Sequence, residues 1–271
     1  MCPNCRAFIT INDRVCPYCN VQLGPRAIDL RASELASSFL PRANLTATIL
    51  IIINVAFFLA ELIVNHQLTN QPFGSGLSGQ VAVLFGAKIG GGFIRGQWWR
   101  LITAGFLHGG VVHIAMNSWA LFILVTEVEQ FYGTSRTIVA YVFSTFTGFL
   151  LSLLWSPRIS LGASAACYGL IGIMLAMGMR RSDPIAIAVR AYYRQWLIFG
   201  LVLSLLPGID LAAHVGGLAG GFLIGLISGL PGLPGTPRET FWRAAAGVAI
   251  AITLYAFVQD YMSYQALLRQ V

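Results

Sequence analysis

The stretch LAAHVGGLAGGFLIGLISG (211–229) is apolar apart from one histidine near its start and one serine near its end. Its small residues recur at every fourth position, namely Ala213, Gly217, Gly221, Gly225 and Gly229. Residues four apart share one face of a helix, so this face carries almost no side chain and lets a neighbouring backbone come very close. The stretch therefore predicts a tightly packed helix with His214 near one end of the contact.

A second stretch, LGASAACYGLIG (161–172), is a suitable partner for that helix. It sets Ser164 at the start of another apolar run and offers Gly162, Gly169 and Gly172 for close approach. A single serine in a membrane helix usually bonds back to a carbonyl one turn earlier, and glycines alone also fit an interface without chemistry. Packing of the two stretches would nevertheless bring Ser164 within reach of His214.

The composition indicates that most of the chain has lipid as its solvent. Of the 271 residues, 56% are hydrophobic and 10% are charged, whereas soluble domains carry about 25% charged residues. The formal net charge is +7, but no long basic run of the kind found in nucleic-acid-binding tails is present. The basic residues fit better as membrane orientation signals, and nucleic acid is not expected as a partner.

The hydropathy pattern predicts an all-α membrane protein with seven apolar helices. The fifth is the weakest, and most of the others are long enough to cross a bilayer. Their approximate bounds are 45–65, 106–126, 137–155, 164–179, 192–206, 211–229 and 242–260. The predicted organisation is a cysteine module at 1–25, a linker at 26–43, a six-helix core at 44–230, a Pro/Gly linker at 231–241 and an extra transmembrane helix at 242–262.

The distribution of Lys and Arg predicts the orientation of these helices. A cytosolic N-terminus places most of the 17 basic residues in inner segments, as the positive-inside rule requires. The C-terminus is then outside, and the second, fourth and sixth helices run inward. His113, Asn117, Ser164 and His214 consequently lie at one depth near the outer face. Ionisable groups in a bilayer are costly and by default indicate function.

These residue types suit acyl transfer. A serine hydroxyl needs a base to become a nucleophile, and His214 is the single histidine in the second half of the chain. Asp210 is expected in the outer loop, so a Ser164–His214 dyad is favoured over a triad. Tyr168 follows Ser164 by one helical turn, and its ring could stack on the imidazole in place of an acid.

A developing oxyanion needs hydrogen-bond donors. His113 and Asn117 are four residues apart and share a helix face, so their side chains could form an oxyanion hole with the backbone N–H of Ser164. His108 should point elsewhere. Trp99 and Arg100, in the long first loop, have the character of residues at a membrane interface.

Four ordered motifs resemble the rhomboid family of intramembrane serine proteases. They are WWR (98–100), HGGVVHIAMN (108–117), GASAACYG (162–169) and AHVGGLAGG (213–221), and the resemblance covers roughly 45–229. One departure is Ala165, where many members have glycine.

The resemblance implies a six-helix core with Ser164 as nucleophile and His214 as base, without a catalytic cofactor. It further implies that His113 and Asn117 form the oxyanion hole and that Trp99 and Arg100 are structural. The implied substrates are transmembrane protein segments cut near the outer face, and the implied location is the cell (inner) membrane, with lipid as a further partner. The fifth helix and the loop after it would form a lateral gate.

The first residues contain two Cys-x-x-Cys pairs, CPNC and CPYC. Two such pairs about ten residues apart predict a structural zinc site formed by Cys2, Cys5, Cys16 and Cys19. A redox-active pair or a disordered cysteine-rich tail are the alternatives. Four thiolates leave no open position for catalysis, so the module is expected to dock a cytosolic partner or a substrate.

Two other functions compete with proteolysis. A catalytically inactive scaffold could bind client transmembrane helices, although such a scaffold would not be expected to keep the dyad. A transporter is less well supported, because the sequence contains no evident inverted repeat and its helices are nearly free of carboxylates.

Overall fold

The computed structural model of the chain describes residues 2, 4–8, 15–22, 44–70, 72, 76–90, 96–180 and 183–268. Two compact units are present, Met1–Leu45 and Thr46–Val271. The linker predicted at 26–43 lies outside the described residues. Within those residues there is no β-strand, only the isolated bridges Val15–Gln22 and Lys88–Ser160.

The larger unit consists of helices joined by short connections and one long first loop. In chain order these are α1 (Leu45–Thr69), α2 (Gly79–Leu84), α3 (Arg100–Thr103), a 3₁₀ turn (Ala104–Phe106), α4 (Val111–Trp155), α5 (Ser164–Arg180), α6 (Pro184–Leu203), α7 (Leu211–Ser228) and α8 (Pro237–Leu268). The all-α membrane fold predicted from the sequence is confirmed.

Four of these helices are long and apolar enough to cross a membrane by length and composition. They are α1, α4, α7 and the part of α8 that spans Pro237–Gln265, and α5 is a shorter apolar helix. The helix α6 is absent from this set, in keeping with its weak apolar character in the sequence.

The helix α4 contains two of the predicted apolar segments. Its backbone leaves helical geometry at Gly133, where φ is 74°, a value that glycine adopts without a Cβ penalty. Near the start of α4, Asn117 lies beside Gly162, just before α5. Near its end, Ser152 bonds Asp210, just before α7. Both ends of α4 therefore meet the starts of α5 and α7, so the chain reverses at Gly133.

The helix α6 starts earlier than the predicted boundary at residue 192. Asp183 caps it by accepting a hydrogen bond from the Ala186 N–H, at 3.1 Å, and Pro184 occupies the first turn. Both are strong helix-start signals. They lie outside the apolar stretch, so hydropathy alone placed the start too late.

The extra helix α8 also begins earlier than predicted, at Pro237. The predicted linker at 231–241 therefore overlaps its first turn. The Glu239 carboxylate in that turn accepts two hydrogen bonds of 2.7 Å from the buried Arg136 guanidinium, which lies 5.3 Å from the Trp242 ring centroid. A bidentate charged pair is a strong local interaction, and it fixes the start of α8 against α4.

The helix α5 is central and is buried along most of its length. It runs parallel to α7, since Ala165, Gly169 and Ile173 contact Gly217, Gly221 and Gly225 in the same order. A Cβ on Gly217 or Gly221 would fall far inside van der Waals contact with the carbonyl oxygens of Ala165 and Gly169, respectively. The tight contact predicted for these glycines is thus present, and it sets the depth of α7 against α5.

The predicted glycine ridge ends before Gly229. The helix α7 finishes at Ser228, and Gly229 has a φ of 54° as the residue that terminates the helix. Its role is to reverse the backbone, as glycine commonly does after a helix.

We predict that Gly221→Ala disrupts the bundle, because the added methyl collides with the Gly169 backbone oxygen and separates α5 from α7. The thermal unfolding temperature of the detergent-purified protein should fall by several degrees. The matched control is Gly247→Ala in α8, where an added Cβ meets nothing within 4 Å. Equal unfolding temperatures for Gly221→Ala and the unmodified protein would contradict the prediction.

Candidate active site and cysteine cluster

Ser164 and His214 come together at the start of α5 and α7. Ser164 is the first residue of α5, and His214 lies in the first turn of α7. The His214 Nε2 atom is 2.8 Å from Ser164 Oγ. That distance is within hydrogen-bond reach for a nucleophile and its base. The pair is separated by 50 positions in the chain and is held together by the glycine contact between the two helices.

Tyr168 lies one turn after Ser164 and covers the imidazole. The two rings are nearly parallel, at 13°, with centroids 4.2 Å apart. This is the stacking expected from the sequence. Because Tyr168 and Ser164 belong to the same helix, one rigid element supplies both the hydroxyl and the surface against which the imidazole rests.

Two side chains from the first turns of α4 face the loop before Ser164. A Cβ on Gly162, whose φ is 130°, would lie 2.7 Å from His113 Nε2 and 3.5 Å from Asn117 Nδ2. His113 Nδ1 accepts a hydrogen bond from the Gly109 N–H at 3.4 Å, so the proton of a neutral ring resides on Nε2. Asn117 Nδ2 is buried and donates to no acceptor in the described parts of the chain. Two donors therefore converge on Gly162, two residues before Ser164.

His108 contacts His113, one of these two donors. Its ring lies edge-on to that of His113, with centroids 5.2 Å apart, and its backbone N–H donates to Glu61 Oε2 at 3.3 Å. Burial lowers the pKa of His108 to about 3, and the neighbouring His113 adds to the shift. The ring is therefore neutral at physiological pH.

Asp210 is not bonded to the imidazole of His214. It caps α7 by accepting from the Ala213 N–H at 3.1 Å, and it also accepts from the hydroxyl of Ser152. Burial alone would raise the pKa of Asp210, but hydrogen bonds from Ser152 and Ser160, with smaller contributions from the Ala213 N–H and Lys88, lower it. Asp210 is thus an ionised helix cap.

The second ring nitrogen of His214 contacts a residue that sequence reasoning missed. His214 Nδ1 is 2.6 Å from Ser204 Oγ, and Ser204 Oγ is 2.8 Å from the Tyr168 hydroxyl. Ser204 caps the C-terminus of α6 and is buried. The serine stands in the run LSLLPG (203–208), which carries no motif. The one feature of the sequence that could have drawn attention to Ser204 is its position just after the end of an apolar helix.

Trp99 and Arg100 both bond to other parts of the chain, and Arg100 is buried. Its side chain is 7% exposed and donates to the carbonyl oxygens of Val83 at 2.7 Å and Ala87 at 3.0 Å. A guanidinium has five donors in a rigid fork, which suits several carbonyls of one loop. The Trp99 indole N–H donates to Asp260 Oδ1 in α8 at 3.2 Å.

The four N-terminal cysteines lie on two copies of the same turn. In the first, the Cys2 N–H donates to the Ala7 carbonyl and the Arg6 N–H donates to the Cys2 carbonyl. The second repeats this pattern from Cys16 to Val21, with Asn20 in the place of Arg6. Arg6 and Asn20 both have positive φ, 61° and 54°.

The four sulfur atoms are close enough together to hold one metal ion. All four Sγ atoms lie within 4.8 Å of one another, and two pairs are 3.6 Å and 3.7 Å apart. Zn–S bonds of about 2.3 Å in a tetrahedron place the sulfurs roughly 3.8 Å apart. The Val21 backbone N–H lowers the pKa of Cys19 to about 6, whereas, against the lowering effect of the Ala7 backbone N–H, burial and the neighbouring thiols raise the pKa of Cys5 to about 12. The fifth cysteine, Cys167, is buried in the helical core, as expected for a packing residue.

Comparison with known proteins agrees with the geometry. A family model described as "Rhomboid domain" matches residues 95–230. The chain belongs to the rhomboid family. The resemblance seen in the four motifs is thereby confirmed, and this rhomboid is an integral membrane protein.

Several curated relatives are similar to this rhomboid. Rhomboid protease GluP of Bacillus subtilis (strain 168) is 35% identical over 179 residues, which cover 65% of this chain and 33% of GluP. RHOMBOID-like protein 4 of Arabidopsis thaliana is 39% identical over 134 residues, 48% of this chain and 34% of that protein. The protein YdcA of Bacillus subtilis (strain 168) is 32% identical over 139 residues, 50% of this chain and 70% of YdcA. The chain thus spans about a third of the first two relatives.

Proposed function

We propose that this rhomboid is an intramembrane serine endopeptidase that cuts transmembrane-segment substrates. The observation that carries the proposal is the 2.8 Å contact between His214 Nε2 and Ser164 Oγ, with the donors of His113 and Asn117 beside it. A nucleophile, a base and an oxyanion site within one small volume are the minimum set for acyl transfer. The name of the relative GluP, a rhomboid protease, supports the same reaction class.

The first half of the reaction forms an acyl-enzyme. His214 Nε2 takes the Ser164 hydroxyl proton as Oγ attacks the carbonyl carbon of the scissile peptide bond. The resulting oxyanion accepts hydrogen bonds from Asn117 Nδ2–H, His113 Nε2–H and the Ser164 backbone N–H. That last N–H is unsatisfied within the helix because Ser164 begins α5, and the helix N-terminus also favours negative charge. His214 then donates its proton to the leaving amine as the C–N bond breaks.

The second half regenerates the serine. His214 accepts a proton from water, and the resulting hydroxide equivalent attacks the acyl carbonyl in the same oxyanion site. Collapse of the tetrahedral intermediate returns the proton from His214 to Ser164 Oγ and releases the carboxyl product. The cysteine cluster takes no part in these steps, because a zinc ion held by four thiolates has no open coordination position.

We further propose that the N-terminus is cytosolic and that the site faces the outer side of the cell (inner) membrane. The excess of Lys and Arg in the segments that would then be inside supports this orientation. With it, Ser164 at the start of α5 and His214 in the first turn of α7 lie at the outer ends of the two helices. Substrate segments would then be cut near that face.

The alternative of an inactive scaffold for client helices is less well supported. Such a protein needs a surface for helices but neither a serine–histidine contact nor buried donors aimed at one point. Asn117 Nδ2 has no partner in the part of the chain that the structure describes, and an orphan buried donor is costly unless it serves a function.

We expect Ser164→Ala to reduce cleavage of a membrane-anchored test substrate to background, because the substitution removes the nucleophilic hydroxyl and leaves the packing of α5 intact. The measurement compares product formation by wild-type and variant protein in liposomes of one lipid composition. Ser228→Ala, in the last turn of α7, is the control and should cleave normally. Undiminished cleavage by Ser164→Ala would refute the proposed function.

We expect Asn117→Ala to lower kcat by about 10²-fold while KM changes little, because the lost donor acts on charge that develops only in the transition state. Initial rates over a range of substrate concentrations in liposomes separate the two constants. Thermal unfolding of the purified variant checks that α4 still packs. A change confined to KM would mean that Asn117 contacts bound substrate and not the oxyanion.

We propose that Cys2, Cys5, Cys16 and Cys19 hold a structural zinc ion, and that this module docks a cytosolic partner or a substrate. Elemental analysis of the purified full chain should find about one zinc per chain. The double variant Cys5→Ser/Cys19→Ser should lose it, because serine hydroxyls are poor zinc ligands. Cys167→Ala should keep it. Equal metal content in the double variant and the wild type would disprove the site.

A further inference from the structure

The end of α6 contributes a buried hydroxyl to the imidazole of His214. Ser204 Oγ has three neighbours at hydrogen-bond distance: His214 Nδ1 at 2.6 Å, the Tyr168 hydroxyl at 2.8 Å and the Gly200 carbonyl oxygen at 2.8 Å. We propose that Ser204 is a positioning residue that fixes the tautomer and the in-plane rotation of His214. The inference rests on the proposed protease function.

The hydrogen-bond inventory of this cluster favours one tautomer of His214. A serine hydroxyl has one proton to donate and two lone pairs to accept with. The Ser204 hydroxyl donates to the Gly200 carbonyl oxygen, which also accepts from the Ser204 backbone N–H at 2.8 Å. With the hydroxyl proton placed there, the Tyr168 O–H and the His214 Nδ1–H are the groups that donate to Ser204 Oγ. His214 Nε2 is then left without a proton.

That tautomer is the one the reaction needs. Only an unprotonated Nε2 can accept the hydroxyl proton of Ser164, which lies 2.8 Å away. The opposite tautomer carries its proton on Nε2, so Ser164 Oγ would accept a hydrogen bond and have no base to take its own proton. A fully satisfied buried network specifies one arrangement more strongly than a partly satisfied one.

Stacking on Tyr168 leaves one motion of the imidazole unrestrained. Parallel rings 4.2 Å apart fix the plane of the His214 ring, but rotation within that plane changes the stacking little. The bonds at Nδ1 and Nε2 lie on opposite sides of the ring and restrain this rotation. Ser204 thus complements Tyr168, and both are needed to aim Nε2 at Ser164.

The packing around Gly200 supports the hydrogen-bond network of Ser204, Tyr168 and His214. A Cβ on Gly200 would lie 2.5 Å from the Tyr168 hydroxyl oxygen, so a larger residue there would displace the phenol from Ser204. Ser204 is 4% exposed and His214 is 7% exposed. A hydroxyl supplies the acceptor in this enclosed position without the desolvation cost of a buried carboxylate.

The test is steady-state cleavage of a membrane-anchored substrate by Ser204→Ala, Ser204→Thr and Tyr168→Phe in liposomes. Ser204→Ala should lower kcat about 10- to 100-fold with KM within about twofold. The reason is that the imidazole of His214 is no longer held in the orientation needed for proton transfer, whereas substrate binding does not involve Ser204. Ser204→Thr keeps the hydroxyl and should retain most of the activity. Tyr168→Phe keeps the stacking ring and removes only the hydroxyl. The double variant Ser204→Ala/Tyr168→Phe should have the same kcat as Ser204→Ala, because the Tyr168 hydroxyl affects His214 only through Ser204.

A second measurement separates a positioning role from a structural one. The rate at which a fluorophosphonate labels Ser164 should fall in parallel with kcat in Ser204→Ala, since that reaction uses the same base. Thermal unfolding of each variant must match that of Ser228→Ala, a buried serine at the other end of α7 whose Oγ has no partner in the described chain.

The outcomes distinguish this inference from the proposed function. Wild-type protein that neither cleaves nor takes the label would overturn the protease function. Active wild type together with an undiminished Ser204→Ala would overturn the inference about Ser204 alone. A stable Ser204→Thr as slow as Ser204→Ala would also overturn it, because the hydroxyl would not be the group that matters.

Discussion

The contact between α5 and α7 is the constraint on which the rest of the site depends. In lipid there is little hydrophobic force between helices, so van der Waals contact has to hold them together. Gly217 and Gly221 let the backbone of α7 rest against the carbonyls of Ala165 and Gly169. This spacing is short enough for the small Ser164 side chain to reach His214 without a bridging group. A looser interface would leave the two functional atoms apart.

Around this contact, four helices supply the functional groups. The helix α5 carries the hydroxyl and the stacking phenol, α7 carries the imidazole, α4 carries the two donors, and α6 ends in the serine behind the imidazole. The bend at Gly133 makes this possible, because it returns α4 to the end at which α5 and α7 begin. The site therefore forms where the starts of α4, α5 and α7 and the end of α6 lie close together.

Much of this could be predicted from the sequence because the relevant signals are local. The apolar runs predict the helices, and residues four apart, such as His113 and Asn117 or Ser164 and Tyr168, share a face wherever the helix lies. Ser204 was missed for a physical reason. Its contact depends on how far α6 extends and on its register against α7, and both are set by packing. The burial of Arg100 was not predicted either, because a charge beside two tryptophans is typical of a membrane interface. Here, carbonyls of a folded loop take the place of water.

The helix α8 is attached near both of its ends. Glu239 in its first turn holds Arg136 of α4, and Asp260 further along accepts from the Trp99 indole in the first loop. Although it lies outside the matched rhomboid domain, this helix is not a removable appendage. Trimming the chain after residue 230 to obtain a minimal core for crystallisation would strand a guanidinium and an indole N–H that now have partners. Engineering that shortens the protein should therefore begin beyond Asp260.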